Sequence, residues 1–239
     1  DIPHVSISDH KIQIPGEAVK MGDGKFIGLV SLTTDKPDAL LMARGYLHYF
    51  ESFNSDRALL DSVKYYLDKT AEKNDSYSAV LIHYYYLQQD YKNIITTSSA
   101  FKKLTKLDAW TAYRVGEAFL NTQSYTEAAT YFQQAVNEEK YNLDYNFKLA
   151  TAKIFSGKSE EAENLLQFIV AENPTYHMAW NNLGVLQAGK GNYLEAEKSF
   201  TKAIQLDPDY VLARIKLAEL FIATRQRTKA SEAISYLEK

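Results

Sequence analysis

Residues 177–210 have the sequence HMAWNNLGVLQAGKGNYLEAEKSFTKAIQLDPDY, and this stretch decides the fold of the 239-residue chain. Its apolar and small residues recur at spacings of three and four, which is the periodicity of an amphipathic helix. The turn residues from Gly189 to Asn192 separate two such segments, and Pro208 cannot continue the second one. The stretch therefore predicts two antiparallel helices joined by a short turn.

The same pattern recurs along the chain at a fixed interval. A small residue equivalent to Gly184 occurs at three other positions, and so does a large apolar residue equivalent to Phe200. Four consecutive shifts by this interval need no insertion, and only the earliest unit is degenerate. The matched small residues are Gly116, Ala150 and Ala218, and the matched large residues are Phe132, Leu166 and Ile234.

This spacing resembles the tetratricopeptide pattern W-x2-L-G-x2-Y…A-x3-F…P, whose period is about 34 residues. Seven residues carry the resemblance, namely Trp180, Leu183, Gly184, Ala196, Phe200, Ala203 and Pro208, while Gln187 stands where the pattern has tyrosine. The resemblance implies an all-α chain, a right-handed α-solenoid of about six tetratricopeptide hairpins. The predicted repeats are 37–74, 75–108, 109–142, 143–176, 177–210 and 211–239.

The first 36 residues differ in composition, since three of the five prolines and four of the ten glycines fall before residue 38. Such residues interrupt regular helix, so we expect an irregular N-terminal arm over residues 1–36. The arm has no basic region followed by an apolar run, so it is not an intact signal peptide. No apolar run approaches the roughly 20 residues of a membrane-spanning helix.

Composition excludes several kinds of chemistry. The chain has no cysteine, which removes disulfides, thiolate metal sites and covalent haem attachment from it. Its net charge of −3 argues against a general nucleic-acid surface. We find no glycine-rich phosphate loop and no nucleophile signature, so we expect the chain not to be an enzyme.

Stacked repeats line a concave face with the first helix of each hairpin. We therefore predict a groove that binds a protein partner. For Trp110 and Tyr113, core packing is the alternative to partner contact. The candidate groove residues are His83, Tyr86, Trp110, Tyr113, Glu117, Phe147 and Asn181.

The segment Asp1-Ile2-Pro3-His4-Val5-Ser6-Ile7-Ser8-Asp9-His10 resembles the junction between the haem region and a tetratricopeptide array in bacterial multihaem c-type cytochromes. The resemblance implies that His4 or His10 supplies an axial ligand to a haem iron. It also implies haem c in an upstream region or a partner, because this chain lacks the Cys-x-x-Cys-His attachment motif.

Two functions follow from these patterns. The first is an interaction scaffold that forms the C-terminal part of an exported bacterial cytochrome active in electron transfer, located in the periplasm or outside the cell. Its partner would be the haem region, a redox protein or another subunit, and a homo-oligomer is compatible with it. The alternative is a free-standing adaptor that binds a peptide or helix in its groove, for which a cytoplasmic location is open.

Overall fold

The computed structural model describes residues 12–13, 29–31, 37–53, 55–99, 101 and 107–235. The chain divides into two compact units, residues 1–106 and residues 107–239. Helices α1 to α4 of the first unit are Ala39–Ser52, Ala58–Lys69, Asp75–Leu87 and Tyr91–Ser98. Helices α5 to α12 of the second unit are Ala109–Asn121, Tyr125–Glu138, Leu143–Phe155, Ser159–Glu172, His177–Gly189, Tyr193–Leu206, Val211–Ala223 and Arg227–Ser235.

The first unit packs two helical hairpins, α1–α2 and α3–α4, around an apolar core. A pair of two-residue strands, β1 (Ile12–Gln13) and β2 (Val30–Ser31), lies antiparallel with Ile12 opposite Ser31. Leu29, next to β2, is buried in the core, and its backbone N–H donates to the Tyr46 hydroxyl at 3.2 Å. The arm predicted to be irregular thus contains a short strand pairing, which places one of its side chains in the helical core.

The second unit consists of four consecutive hairpins whose first helices begin at residues 109, 143, 177 and 211, and α3 of the first unit begins at residue 75. The interval between these starting points is constant and equals the one found in the sequence. The prediction of an all-α chain built from helical hairpins is confirmed, apart from the two short strands. The exact division into repeats stays a prediction.

Four of the six first helices begin where a short polar side chain accepts a backbone hydrogen bond, whereas α9 and α11 begin at tyrosines that make no such bond. Such N-caps satisfy one of the amide donors that a helix leaves open at its start. The caps of α1, α3, α5 and α7 are Asp38, Asn74, Asp108 and Asn142, which accept from the amides of Leu41, Tyr77, Thr111 and Tyr145.

Each hairpin turn from α3 onward places one residue in the left-handed region, at the equivalent position of its repeat. At two turns this residue is Gly157 or Gly191, with φ of +79° and +80°. At three turns it is a residue with a side chain, at φ between +58° and +62°: Gln89, Gln123 and Arg225. The amide of the following residue always donates to the carbonyl five residues back, as in Ser124 to Phe119 at 2.9 Å. This hydrogen bond closes the helix and holds non-glycine residues in a strained conformation.

Inside a hairpin, a small residue of the first helix packs against a large residue of the second. A Cβ atom added to Gly116 would lie 2.7 Å from the Phe132 ring, and one added to Gly184 would lie 2.7 Å from the Phe200 ring. In the hairpin between them the matched residues are Ala150 and Leu166, both fully buried. Ala150, which is larger than glycine, is thus paired with Leu166, which is smaller than phenylalanine. The total volume of the pair therefore stays similar.

Three different side chains make one equivalent hydrogen bond at the start of α7, α9 and α11. Each occupies the position of the tetratricopeptide tryptophan and donates to the backbone carbonyl six residues earlier. The bonds are Asn146 Nδ2 to Lys140, Trp180 Nε1 to Pro174 and Arg214 Nη2 to Pro208, each at 2.9 Å. In these three hairpins the position therefore holds a side-chain donor that stabilises the turn between hairpins, although its residue type varies.

Candidate functional site

The second unit has an aromatic patch at the start of α5, formed by Trp110, Tyr113 and Arg114. The Trp110 side chain is 50% exposed, although its ring is stacked on Tyr113 with centroids 5.8 Å apart and planes 16° apart. The Arg114 guanidinium carbon lies 4.4 Å from the Trp110 ring centroid, in cation–π contact. The tryptophan is therefore held in one place while half of its surface faces solvent.

Arg114 is only 3% exposed, so the patch rests on a buried cation. Tyr113 continues inward, with its ring 5.1 Å from Tyr145 of α7 and 5.8 Å from Phe132 of α6. Burial raises the pKa of Tyr145 to about 12 and outweighs the opposing effect of Arg114. The phenol thus stays neutral at physiological pH, and the patch is anchored by packing on both neighbouring helices.

Glu117 lies one turn further along α5, where its side chain is 13% exposed. Its carboxylate oxygen Oε1 is 3.0 Å from Nζ of Lys148 in α7. The two charges neutralise one another beside the aromatic patch. The predicted groove residue Glu117 therefore joins two successive hairpins, and its charge is compensated by Lys148.

The next candidate, Phe147, is half-buried, and its ring centroid is 5.4 Å from that of Tyr176. The Tyr176 hydroxyl donates to Asp144 Oδ1 at 2.7 Å. Burial, together with this hydrogen bond to a carboxylate, raises the pKa of Tyr176. Phe147 therefore contributes to the junction between α7 and α9 more than to an open surface.

Asn181 differs most from the sequence prediction. Its side chain was expected to line the groove, but the residue is 1% exposed and leaves almost no surface to a partner. Its Nδ2 group donates to Asn182 Oδ1 at 3.2 Å, and no donor among the described residues reaches its Oδ1 atom. Helix α9 packs against α7, α8, α10 and α11, and Asn181 lies in the interior that they form.

His83 and Tyr86 lie on α3 and belong to the first unit. Nε2 of His83 is 2.9 Å from Oε1 of Glu51 in α1, and its side chain is 16% exposed. Tyr86 is half-buried. These two candidates therefore lie in the first unit, whereas the remaining groove candidates lie in the second unit.

The candidate haem ligands His4 and His10 lie outside the described residues. Among the residues that the structure describes, no group of three or more His, Cys, Asp or Glu side chains could hold a metal ion. None of the described helices is long and apolar enough to cross a membrane.

Sequence reasoning missed four residues that build this surface: Arg114, Tyr145, Lys148 and Tyr176. A signal for one pair was available, since Glu117 and Lys148 lie at positions of successive repeats that face each other. The burial of Arg114 had no signal in the spacing, because the same position holds Lys148, Asn182 and Lys216 in the other hairpins.

Comparison with known proteins supports the hairpin assignment. The family model for the tetratricopeptide repeat matches residues 177–210. The chain is 24% identical to the mouse (Mus musculus) protein O-mannosyl-transferase TMTC3 over 159 residues. This match covers 60% of the chain but only 17% of that much longer protein.

Solved structures of MamA are similar in fold. MamA of AMB-1 superposes with a TM-score of 0.55 at 18% identity, over 68% of this chain and 94% of that one. MamA from Desulfovibrio magneticus RS-1 gives a TM-score of 0.53 at 16% identity, over 84% of this chain and 95% of that one. At such identities the likeness concerns the fold alone. The hairpin at residues 177–210 therefore matches the tetratricopeptide repeat, and the similarity to MamA concerns the helical-hairpin fold.

Proposed function

We propose that the chain is a protein-interaction scaffold and that the aromatic patch of α5 binds a segment of a partner protein. The observation that carries this proposal is the half-exposed Trp110 ring, which contacts both Tyr113 and the buried Arg114. Tryptophan, tyrosine and arginine are the residues that most often dominate binding energy at protein interfaces. A ring that is already fixed loses little conformational entropy when a partner covers it.

The surroundings of the patch favour an apolar or aromatic side chain of the partner. Glu117 and Lys148 neutralise each other, and the Arg114 charge is buried beneath the Trp110 ring, so neither leaves an exposed charge for a charged segment. Tyr113 continues the aromatic contacts inward to the buried Tyr145 of α7. The scaffold therefore binds through packing and leaves chemistry, if there is any, to its partner.

The test is to select peptides from a random display library on the immobilised protein and to titrate a selected peptide. Trp110→Ala should weaken its binding at least about tenfold, because removing a central aromatic anchor typically costs about 2 kcal/mol or more. Tyr193→Ala is the matched control, since Tyr193 lies on α10 and is 49% exposed. Selected peptides that bind wild type and Trp110→Ala equally well would refute the proposal.

A second candidate rests on the N-terminal segment. The residues Pro3-His4-Val5 and Asp9-His10 support a role as the C-terminal part of an exported bacterial multihaem cytochrome. In this version the scaffold lies in the periplasm or outside the cell and docks on the haem region, with His4 or His10 as an axial ligand. The free-standing adaptor remains equally compatible with the fold.

The two versions differ in the protein isolated from its natural source. The cytochrome version predicts a haem absorption spectrum and a mass that exceeds that of this chain. A native protein that begins near Asp1 and has no haem-bearing partner would contradict it.

A further inference from the structure

The face of α11 that continues the inner positions of the earlier first helices is exposed. Four apolar residues lie on it with one acidic residue, and we call this set the α11 face. The exposed fractions of the apolar residues are 54%, 44%, 37% and 60%. The α11 face consists of Val211, Leu212, Ile215, Glu219 and Ile222.

The preceding hairpins show what covers these positions in the rest of the unit. The position of Ile215 is held by Tyr113 in α5 and by Phe147 in α7, and both contact a tyrosine of the following hairpin. In α9 the same position is Asn181, which is 1% exposed, compared with 37% for Ile215. At the position of Ile215 the α11 face is thus the same contact surface without its cover among the described residues.

The acidic residue of the face, Glu219, has an equivalent in α5 that is paired with the following hairpin. Glu117 of α5 is the equivalent of Glu219, and it meets Lys148 of the following helix at 3.0 Å with a side chain that is 13% exposed. Glu219 has a side chain that is 57% exposed and pairs with Lys216 on its own helix, at 2.8 Å. An exposed pair of this kind contributes little stability, so a cation from another helix can replace Lys216 at small cost.

We propose that the α11 face docks an amphipathic helix of another protein that carries a tyrosine or other aromatic residue and, three residues later, a lysine. This is the pattern of Tyr145 and Lys148, which contact Tyr113 and Glu117, the residues of α5 equivalent to Ile215 and Glu219. The aromatic side chain packs against Ile215, and the lysine pairs with Glu219. The face is separate from the aromatic patch of α5 and does not depend on its function.

The probe for this proposal is a peptide of residues 141–155, which contains α7, compared with the same peptide in which the lysine equivalent to Lys148 is glutamate. A hydrocarbon staple in place of Asn146 and Ala150 holds it helical, because an isolated helix of this length is marginal in water. The staple lies opposite the side that carries Tyr145 and Lys148. Binding to the full chain is measured by fluorescence anisotropy.

Wild type should bind the lysine peptide at least about tenfold more tightly than the glutamate peptide, since like charges at a contact are strongly disfavoured. Glu219→Lys should reverse this preference. Glu172→Lys is the matched control, because it makes the same charge change on the exposed surface of α8 and should leave the preference unchanged. The reversal excludes binding of the peptide in place of α7, where Glu219 plays no part.

Ile215→Lys tests the apolar part of the face. It should weaken the lysine peptide about tenfold or more while leaving the helical circular dichroism signal intact, because Ile215 is exposed. Equal binding of both peptides to wild type and Glu219→Lys would overturn the proposal. So would concentration-dependent dimers in sedimentation velocity that Ile215→Lys abolishes, because they would assign the face to a second copy of the chain.

Discussion

Hairpins α5–α6 and α9–α10 are alike inside and different outside. Both fit a glycine against a phenylalanine, Gly116 on Phe132 and Gly184 on Phe200, with the same 2.7 Å clearance to an added Cβ atom. On the inner face, however, α5 presents a half-exposed Trp110, whereas α9 has the half-buried Met178 at the equivalent position. The repeat therefore preserves the residues that pack a hairpin, while the surface residues differ between hairpins and can serve different functions.

The largest effect should come from the shared interior. Gly184→Ala forces the Phe200 ring to move and should lower the free energy of unfolding by about 2–3 kcal/mol. Gly116→Ala should cost a similar amount, because the clearance to Phe132 is the same. The measurement is chemical denaturation followed by circular dichroism.

Gly189→Ala is the control for this prediction, because an added Cβ there meets nothing within 4 Å. It should be neutral or slightly stabilising, since alanine favours helix over glycine. The double variant Gly184→Ala with Phe200→Leu copies the Ala150–Leu166 pair and should recover most of the lost stability. A double variant less stable than Gly184→Ala alone would show that volume compensation is not the reason for the pairing.

On the differing face, the effect should appear in binding. Trp110→Ala should reduce the binding free energy of a selected peptide by about 2 kcal/mol, because a fixed aromatic anchor is lost. Met178→Ala, at the equivalent position of α9, should change it by much less. The measurement is isothermal titration calorimetry with the same peptide, and equal losses for the two variants would contradict the difference drawn between the hairpins.

A smaller difference lies in the turns of the two hairpins. Gln123 occupies the left-handed position at φ +62°, where the α9–α10 hairpin has Gly191 at φ +80°. Gln123→Gly should raise the free energy of unfolding by about 1 kcal/mol, and Gly191→Gln should lower it by a similar amount. The midpoint of urea denaturation reports both changes. A stabilisation by Gly191→Gln would show that the turn holds no backbone strain.

A further difference concerns alkaline pH. The pKa of Tyr145 is raised from its ordinary value of 10.0 to about 12, so the neutral phenol is the form favoured by the folded state. Its contribution to stability is complete below pH 10 and is lost as the pH rises from about 10 to about 12. Tyr145→Phe cannot ionise and should lose less stability than wild type in this interval. Parallel loss in both proteins, measured by urea denaturation at each pH, would contradict the shift.

The sequence was sufficient for the interior of the hairpins. Gly184, Phe200 and Pro208 have few alternatives, because close helix contact, filling of the gap and termination of a helix each restrict the residue type. The same logic failed where several residue types can do one task. Asn146, Trp180 and Arg214 all donate to the carbonyl six residues earlier, and only the tryptophan matches the repeat pattern.

The surface was harder to predict, because exposure depends on the neighbouring helix. The chain has two tryptophans, and spacing placed Trp180 in the repeat pattern and left Trp110 open between core and surface. The structure shows Trp110 half-exposed on a buried arginine. Asn181 had the spacing of a groove residue, but it is buried where α9 packs against its neighbouring helices.

The most direct test of the aromatic patch uses these two tryptophans. Each contributes one indole N–H signal to a proton–nitrogen correlation spectrum, and a Trp110→Phe spectrum assigns them. Addition of a selected peptide should shift the Trp110 signal and leave that of Trp180, whose N–H is bonded to the Pro174 carbonyl, unchanged. A bound peptide that leaves the Trp110 signal in place would contradict the proposal that this patch binds the partner.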